Sequence, residues 1–340
     1  MLNRYLTLAA LMTVAALPTR ADLVVLQYHH ISDRTPASTS TGVDLFRAQL
    51  DRIRELGLEV VPLEPSTAAA LSGKLEGRQQ VAITFDDAYE SVWTTAAPIL
   101  DEVGYPYTIF VNTQAVGSQG QMTWQQLKQA AERPHVTIAN HSHGHGHLPQ
   151  KPGESRKEWH QRVTHSLDRA QTLLEEQLGT DEPLFAYPYG EYDAGLEQLL
   201  DEREWYGYGQ QSGAIGPTSD PSRLPRFPMA TAYGQLDGLN DKLRSRALPV
   251  DAAQLPDGIL SDNPPRLTLR LPDQLNPEAL TCFASGRGQL PLKQQGQEVM
   301  VQAADAFNSR RFRYNCTYPA DGGRFYWLSQ QWVDLEQPED

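Results

Sequence analysis

Apolar residues along this chain follow two rhythms. From residue 23 to about residue 190, short uninterrupted apolar runs alternate with stretches of helical spacing. Leu23-Val24-Val25-Leu26 is the first run, of the kind that a strand covered on both faces requires. Residues 32–44 are rich in Ser, Thr, Pro and Asp and read as a loop. Over 44–56 the apolar residues fall at 45, 46, 50, 53 and 56, the spacing of one helix face, and Gly57 stops the helix. The pattern then predicts strands over 58–63, 81–85, 107–111, 136–139 and 184–187. Between them it predicts helices over 89–103, closed by Gly104, over 123–131, with Thr123 as N-cap, and over 159–178. Strands alternating with helices imply a parallel α/β sheet, open or closed into a barrel.

The second rhythm begins after about residue 248. Helical spacing disappears, Pro264 and Pro265 punctuate a new start, and residues 266–271 alternate apolar and polar with period two. Residues 298–302, 311–317 and 325–333 also read as strands, with Gly322-Gly323 turning the hairpin before the last. We therefore expect two folded units, 22–248 and 249–340, the second a small all-β sandwich-like module. No internal repeat or long low-complexity tract is present.

Residues 1–21 form neither rhythm. Arg4 precedes an apolar run to Leu17 broken only by Thr7 and Thr13, and Thr19-Arg20-Ala21 supplies small residues before Asp22. This is the pattern of a secretory signal peptide cut before Asp22; a membrane anchor is the alternative, for which the run is short. We expect an exported, soluble monomer, periplasmic or secreted, without a membrane span once mature. Export bears on Cys282 and Cys316, the only cysteines: a single disulfide is expected, with two buried thiols as the alternative. The pair alone does not suggest zinc, because the two are far apart and no His follows Cys282. The chain has ample length for a core at 340 residues, and its net charge of −13 argues against a generic nucleic-acid partner.

Candidate chemistry collects at strand ends. The run 81–85 stops on Asp86 and Asp87, where a parallel fold keeps its catalytic face. Adjacent carboxylates repel, so a cation is their natural partner, although an Asp at this place can also cap the following helix. His141 and His145 follow the 136–139 strand. Two imidazoles and a carboxylate make a mixed nitrogen–oxygen set suited to Zn2+ or another divalent transition metal such as Co2+ or Ni2+, and three protein ligands leave a position for water. His143 and His147, in the same loop, read as solvated or as adventitious metal binders. Phe185-Ala186-Tyr187-Pro188-Tyr189-Gly190 ends the next strand. Such a turn can wall a pocket and aim a backbone N–H inward, or be an ordinary turn with packed aromatics.

Thr84-Phe85-Asp86-Asp87, the His-Ser-x-x-His element at 141–145 and Pro188-Tyr189-Gly190 together resemble the leading motifs of the polysaccharide deacetylases with a NodB homology domain, carbohydrate esterase family 4. The resemblance covers about residues 22–240. Tyr28-His29 and Phe185-Ala186-Tyr187-Pro188 are similar to the branch that includes poly-β-1,6-N-acetylglucosamine deacetylases. The resemblance implies a distorted (β/α) barrel of about seven parallel strands. It implies Asp86 as general base, Asp87, His141 and His145 as metal ligands, Ser142 as a brace between the histidines, and Tyr189 as oxyanion donor through its backbone N–H. It further implies removal of N-acetyl groups from an N-acetylglucosamine-containing polysaccharide. O-acetyl ester cleavage and glycan binding without hydrolysis are the alternatives. Two departures stand out. Ala186 occupies the place of the family's usual base-orienting arginine, and no His follows His165 to serve as a late general acid. Arg226 could replace the arginine or be a structural residue; His29 or His30 could supply the proton, or Asp86 could return it. Phe325, Tyr326, Trp327 and Trp332 could stack on sugar, but aromatic strands more often form core.

Overall fold

The computed structural model describes residues 21–75, 77 and 79–339; all but the last residue of the expected signal peptide lies outside them. A nine-stranded sheet organises the first two thirds of the chain. Its path runs from Ala214–Ile215 through Leu23–Tyr28, Gln80–Asp86, Tyr107–Val111, Val136–Asn140 and Leu184–Ala186 to Tyr206–Tyr208. Short strands Glu59–Val60 and Phe227–Pro228 pair onto it from the side. All pairings are parallel except that of Ala214–Ile215. The sheet thus has more strands than expected, and one runs antiparallel.

Strand alternation divides the core into two layers. Val24, Leu26, Tyr28, Val81, Ile83 and Phe85 face a layer of helices that contributes Phe46, Leu50, Ile53, Leu100 and Leu127. Leu23, Val25, Ala82, Phe110, Ala139, Leu184, Ala186 and Tyr208 pack together on the other face, inside the curl of the sheet. Both faces being covered explains the continuous apolar runs. Two helices start with complete capping boxes, Thr123 before Trp124–Ala131 and Ser155 before Arg156–Leu178. The expected helix over 89–103 starts at Glu90, passes through a π-helical turn, Val92–Ala96, and continues as Ala97–Val103. Gly104 ends it at φ 67°, a left-handed backbone that glycine takes without a side-chain clash. The strand expected over 58–63 is confined to Glu59–Val60, and Leu63–Leu71 is helix. Pro62 lacks an N–H to continue the ladder, and its extended backbone starts the helix as N-cap.

The curl is drawn together by the segment around Arg226. Leu224 bridges in parallel to Tyr208 at one edge of the sheet, and Phe227 pairs with Leu26 in the Leu23–Tyr28 strand. Arg226 lies between these two pairings and is completely buried.

Beyond it, Arg246–Ala247, Arg324–Val333, Arg311–Ala320, Thr281–Ala284 and Gly288–Gln289 form a five-stranded sheet, and Arg266–Arg270, Glu298–Gln302 and Leu292–Gln295 a three-stranded one. Their inward residues, including Leu267, Leu269, Val299, Val301, Tyr314 and Trp332, share one core. Cys282 and Cys316 sit opposite each other on adjacent antiparallel strands and form the expected disulfide. Of the aromatic residues in the last strand, Trp332 is buried among these residues, and Trp327 meets Phe227 edge-on, with ring centroids 5.2 Å apart.

Candidate active site

The parallel strands Gln80–Asp86, Val136–Asn140 and Leu184–Ala186 end on one face of the sheet, and the residues that follow them meet there. Asp86 is the last residue of its strand and shares the face of Ala82 and Thr84, so its side chain turns into the curl. There Arg226 clamps it: Nη1 donates to Oδ1 at 2.7 Å and Nη2 to Oδ2 at 2.8 Å. Arg226 is itself fixed by a 2.9 Å bond from Nε to the Gly209 carbonyl and a 3.2 Å bond from Nη1 to Thr84. Gln27 adds a third donor to Asp86, Nε2 to Oδ2 at 2.7 Å. Both ends of the clamp are fully buried, so the pairing is strong and its rupture would strand a charge. Burial by itself would raise the Asp86 carboxyl, but the Arg226 guanidinium outweighs it and holds the group well below the usual carboxylate range. His29 Nε2 lies 4.0 Å from Asp86 Oδ2. His30 points elsewhere and stacks on Tyr89, centroids 3.5 Å apart.

Asp87 leaves the strand in a left-handed backbone, φ 70°, and its side chain diverges from that of Asp86. His141 Nε2 is 3.5 Å and His145 Nε2 3.2 Å from Asp87 Oδ1. The His141 ring is oriented from behind: its Nδ1 donates to the Ala186 carbonyl at 2.7 Å. A carbonyl only accepts, so this bond puts a proton on Nδ1, and in the neutral ring that a metal ligand requires, Nε2 is the lone pair. A lone pair therefore faces a carboxylate oxygen that is buried and has no hydrogen-bond partner among the described residues. That arrangement is repulsive unless a cation lies between, and these donors suit one. The ligand atoms of Asp87, His141 and His145 all lie within 4.8 Å of one another. Burial, reinforced by neighbouring His141, pulls His145 down to about 4, so it is neutral at ordinary pH. Asn140 supports the loop: its Oδ1 accepts from the Ser142 N–H at 2.8 Å, and its Nδ2 donates to the Leu167 carbonyl. Ser142 takes the left-handed φ of 69° that separates the two histidines, and its carbonyl accepts from the Thr113 N–H.

Tyr189 completes the cluster. Its ring lies edge-on to His145, centroids 4.6 Å apart, and stacks flat on His147 at 4.0 Å and 1°. Tyr189 holds φ 58°, an uncommon value for a residue with a side chain. Gly190 follows at φ 69°, and a Cβ there would come within 2.7 Å of Gln210; only glycine fits.

Residues 74–205 match the polysaccharide deacetylase family. The chain carries a polysaccharide deacetylase domain. A poly-β-1,6-N-acetyl-D-glucosamine N-deacetylase of Staphylococcus aureus is 23% identical over 227 residues, covering 63% of this chain and 78% of that one. Two solved structures share the fold of the deacetylase domain. IcaB from Ammonifex degensii superposes with a TM-score of 0.56 at 24% identity, over 65% of this chain and 94% of its own. The Streptococcus pyogenes deacetylase PplD superposes with a TM-score of 0.56 at 23% identity, over 62% and 94%.

The deacetylase domain thus brings together Asp86, Asp87, His141, His145 and Tyr189, adds Arg226 from outside the matched segment, and keeps His29 at its edge. His143 bonds to Thr113 through Nδ1 at 2.9 Å, away from the triad. The reading of His147 as solvated is corrected: it is buried, and its Nδ1 donates to Glu191 at 2.8 Å. Its partner lies 44 residues on, so the local His-rich pattern carried no sign of it. Gln27 and Glu191 were also missed as site residues; a Gln inside an apolar strand run was the one available signal for the first.

Proposed function

We propose that the protein is an exported, metal-dependent N-deacetylase that acts on an N-acetylglucosamine-containing polysaccharide. The observation that carries this reading is the buried Asp87 Oδ1 facing two imidazoles, directly beside an ionised Asp86. Asp87, His141 and His145 would hold a divalent cation, with zinc first in order of fit. When bound, such a cation supplies Lewis-acid polarisation of the acetamide carbonyl and acidification of water. Asp86 accepts the proton of the attacking water as its oxygen bonds to the carbonyl carbon. The backbone N–H of Tyr189 faces the oxygen on which negative charge develops. As the C–N bond breaks and acetate departs, the amine takes up a proton, returned by Asp86 or relayed through His29. Arg226 keeps the carboxylate of Asp86 ionised and oriented, the task that Ala186 cannot perform. Export agrees with a substrate outside the cell and with the Cys282–Cys316 disulfide. Among the described residues no helix is long and apolar enough to cross a membrane.

The test is acetate release from N-acetylglucosamine oligomers and from O-acetylated glycans, with added zinc or cobalt, comparing wild type with Asp86→Asn. Release from the N-acetyl substrates that the substitution abolishes is expected. Release only from esters would make the protein an esterase; none from either, with metal still bound, would make it a glycan-binding relative.

A further inference from the structure

The Tyr189 turn is gripped from outside the deacetylase domain. Glu191, two residues beyond Tyr189, is fully buried, and most of the donors to its carboxylate come from the C-terminal module. Arg310 donates from Nε to Oε1 at 2.8 Å and from Nη2 to Oε2 at 3.0 Å. Arg311, which opens the Arg311–Ala320 strand, donates to Oε1 at 2.9 Å. The remaining donor is His147, the residue stacked flat on Tyr189. Further contacts from the same two-stranded arm hold the neighbouring backbone. Gln331 donates its side-chain N–H to the Gly190 carbonyl. Arg313 bonds to the carbonyl of Gln210, the residue against which Gly190 packs, at 2.6 Å. The Arg311 guanidinium also lies 5.3 Å from the centre of the Tyr189 ring.

A left-handed tyrosine persists only where its surroundings over-determine it. Here that surrounding is supplied by a hairpin more than a hundred residues away in sequence. We propose that the C-terminal β module is part of the active site: Arg310, Arg311 and Gln331 are positioning residues that act through Glu191, His147 and Gly190 to fix the backbone of Tyr189. The module's contribution is then orientation of the oxyanion donor and not capture of glycan on its aromatic strand. The geometric claim stands on its own; its catalytic consequence rests on the N-deacetylase reading.

The full-length protein decides it through Arg310→Met and Glu191→Gln, with Arg310→Lys as the conservative variant and Gln331→Ala as a milder second route should the first two fold poorly. Amide hydrogen exchange is followed over residues 187–192, alongside steady-state kinetics and zinc titration. Expected is faster exchange confined to 187–192 and kcat lower by about 10- to 100-fold, while KM and zinc affinity barely change. Arg310→Lys recovers part of kcat. Unchanged exchange in the 187–192 segment overturns the proposal, as does unchanged kcat in an active wild type. A module that only stabilises the fold would lower the melting temperature without that local signature or the kcat loss. If wild-type protein releases no acetate from any substrate, the N-deacetylase reading fails, and exchange alone still decides whether the module holds the turn.

Discussion

Asp86 closes a strand, Asp87 is the next residue, and the two inhabit opposite electrostatic surroundings. Asp86 turns into the curl of the sheet, where two nitrogens of Arg226 and the amide of Gln27 answer its charge. Asp87 turns out through a left-handed backbone and meets imidazoles, with a buried oxygen that no described group satisfies. The protein neutralises one carboxylate with a guanidinium and gives one buried oxygen of the other no hydrogen-bond donor among the described residues. The residue type is the same and the positions adjoin; what the rest of the chain brings to each oxygen separates the proton-moving role proposed for Asp86 from the ligand role proposed for Asp87.

Substitution tests this division most severely at the two carboxylates. Asp86→Asn should lower kcat by about 10²- to 10⁴-fold while zinc still binds, and Asp87→Asn should lose zinc. Equal loss of zinc in both, by calorimetric titration, would dissolve the distinction. The next largest effect is on stability. Arg226→Met leaves a buried carboxylate without its partner and should cost about 3–5 kcal/mol in urea unfolding, and adding Asp86→Asn to it should recover part of that cost. A third test uses the unanswered charge. Zinc at a hundred times its dissociation constant should stabilise the wild type by about 2.7 kcal/mol, read as a rise in melting temperature, and should leave Asp87→Asn unmoved. The smallest effect is in pH dependence. His145 is held at about 4 against an ordinary value of 6.5, so between these values the unfolded chain binds the extra proton. Its contribution to the metal-free protein is therefore complete above pH 6.5 and is lost as pH falls toward 4. Melting temperature against pH should slope less steeply across that window in His145→Gln than in wild type.

The elements legible in the sequence were those whose causes are local. Continuous apolar runs marked the central strands, Thr123 marked a helix start, and Gly104 marked a helix end. The motifs at 84–87 and 141–145 lie close to strand ends, so backbone direction alone carried their side chains to one face. Features with distant causes were harder to read. Tyr206–Tyr208 and Ala214–Ile215 are too short to show a period and exist because a neighbouring edge pairs with them. Arg226 was visible only as a candidate, because its partner is 140 residues away. His147 looked like one more member of a polar loop; a glutamate and an arginine from other parts of the chain make it a buried, stacked side chain.

The arrival of Arg226 from beyond the matched segment also bears on what counts as the working unit. Residues 74–205 carry the recognisable motifs, yet a fragment ending there would hold Asp86 without its counter-charge. Such a carboxylate would lose its fixed orientation, and its pKa would drift upward as burial went unopposed. The motifs would survive intact in a truncated polypeptide whose proposed base had lost its clamp. The clamp on Asp86 therefore arrives late in synthesis, with the residues around 226 that draw the sheet's edges together, and a chain interrupted before that point would display the family signature without it.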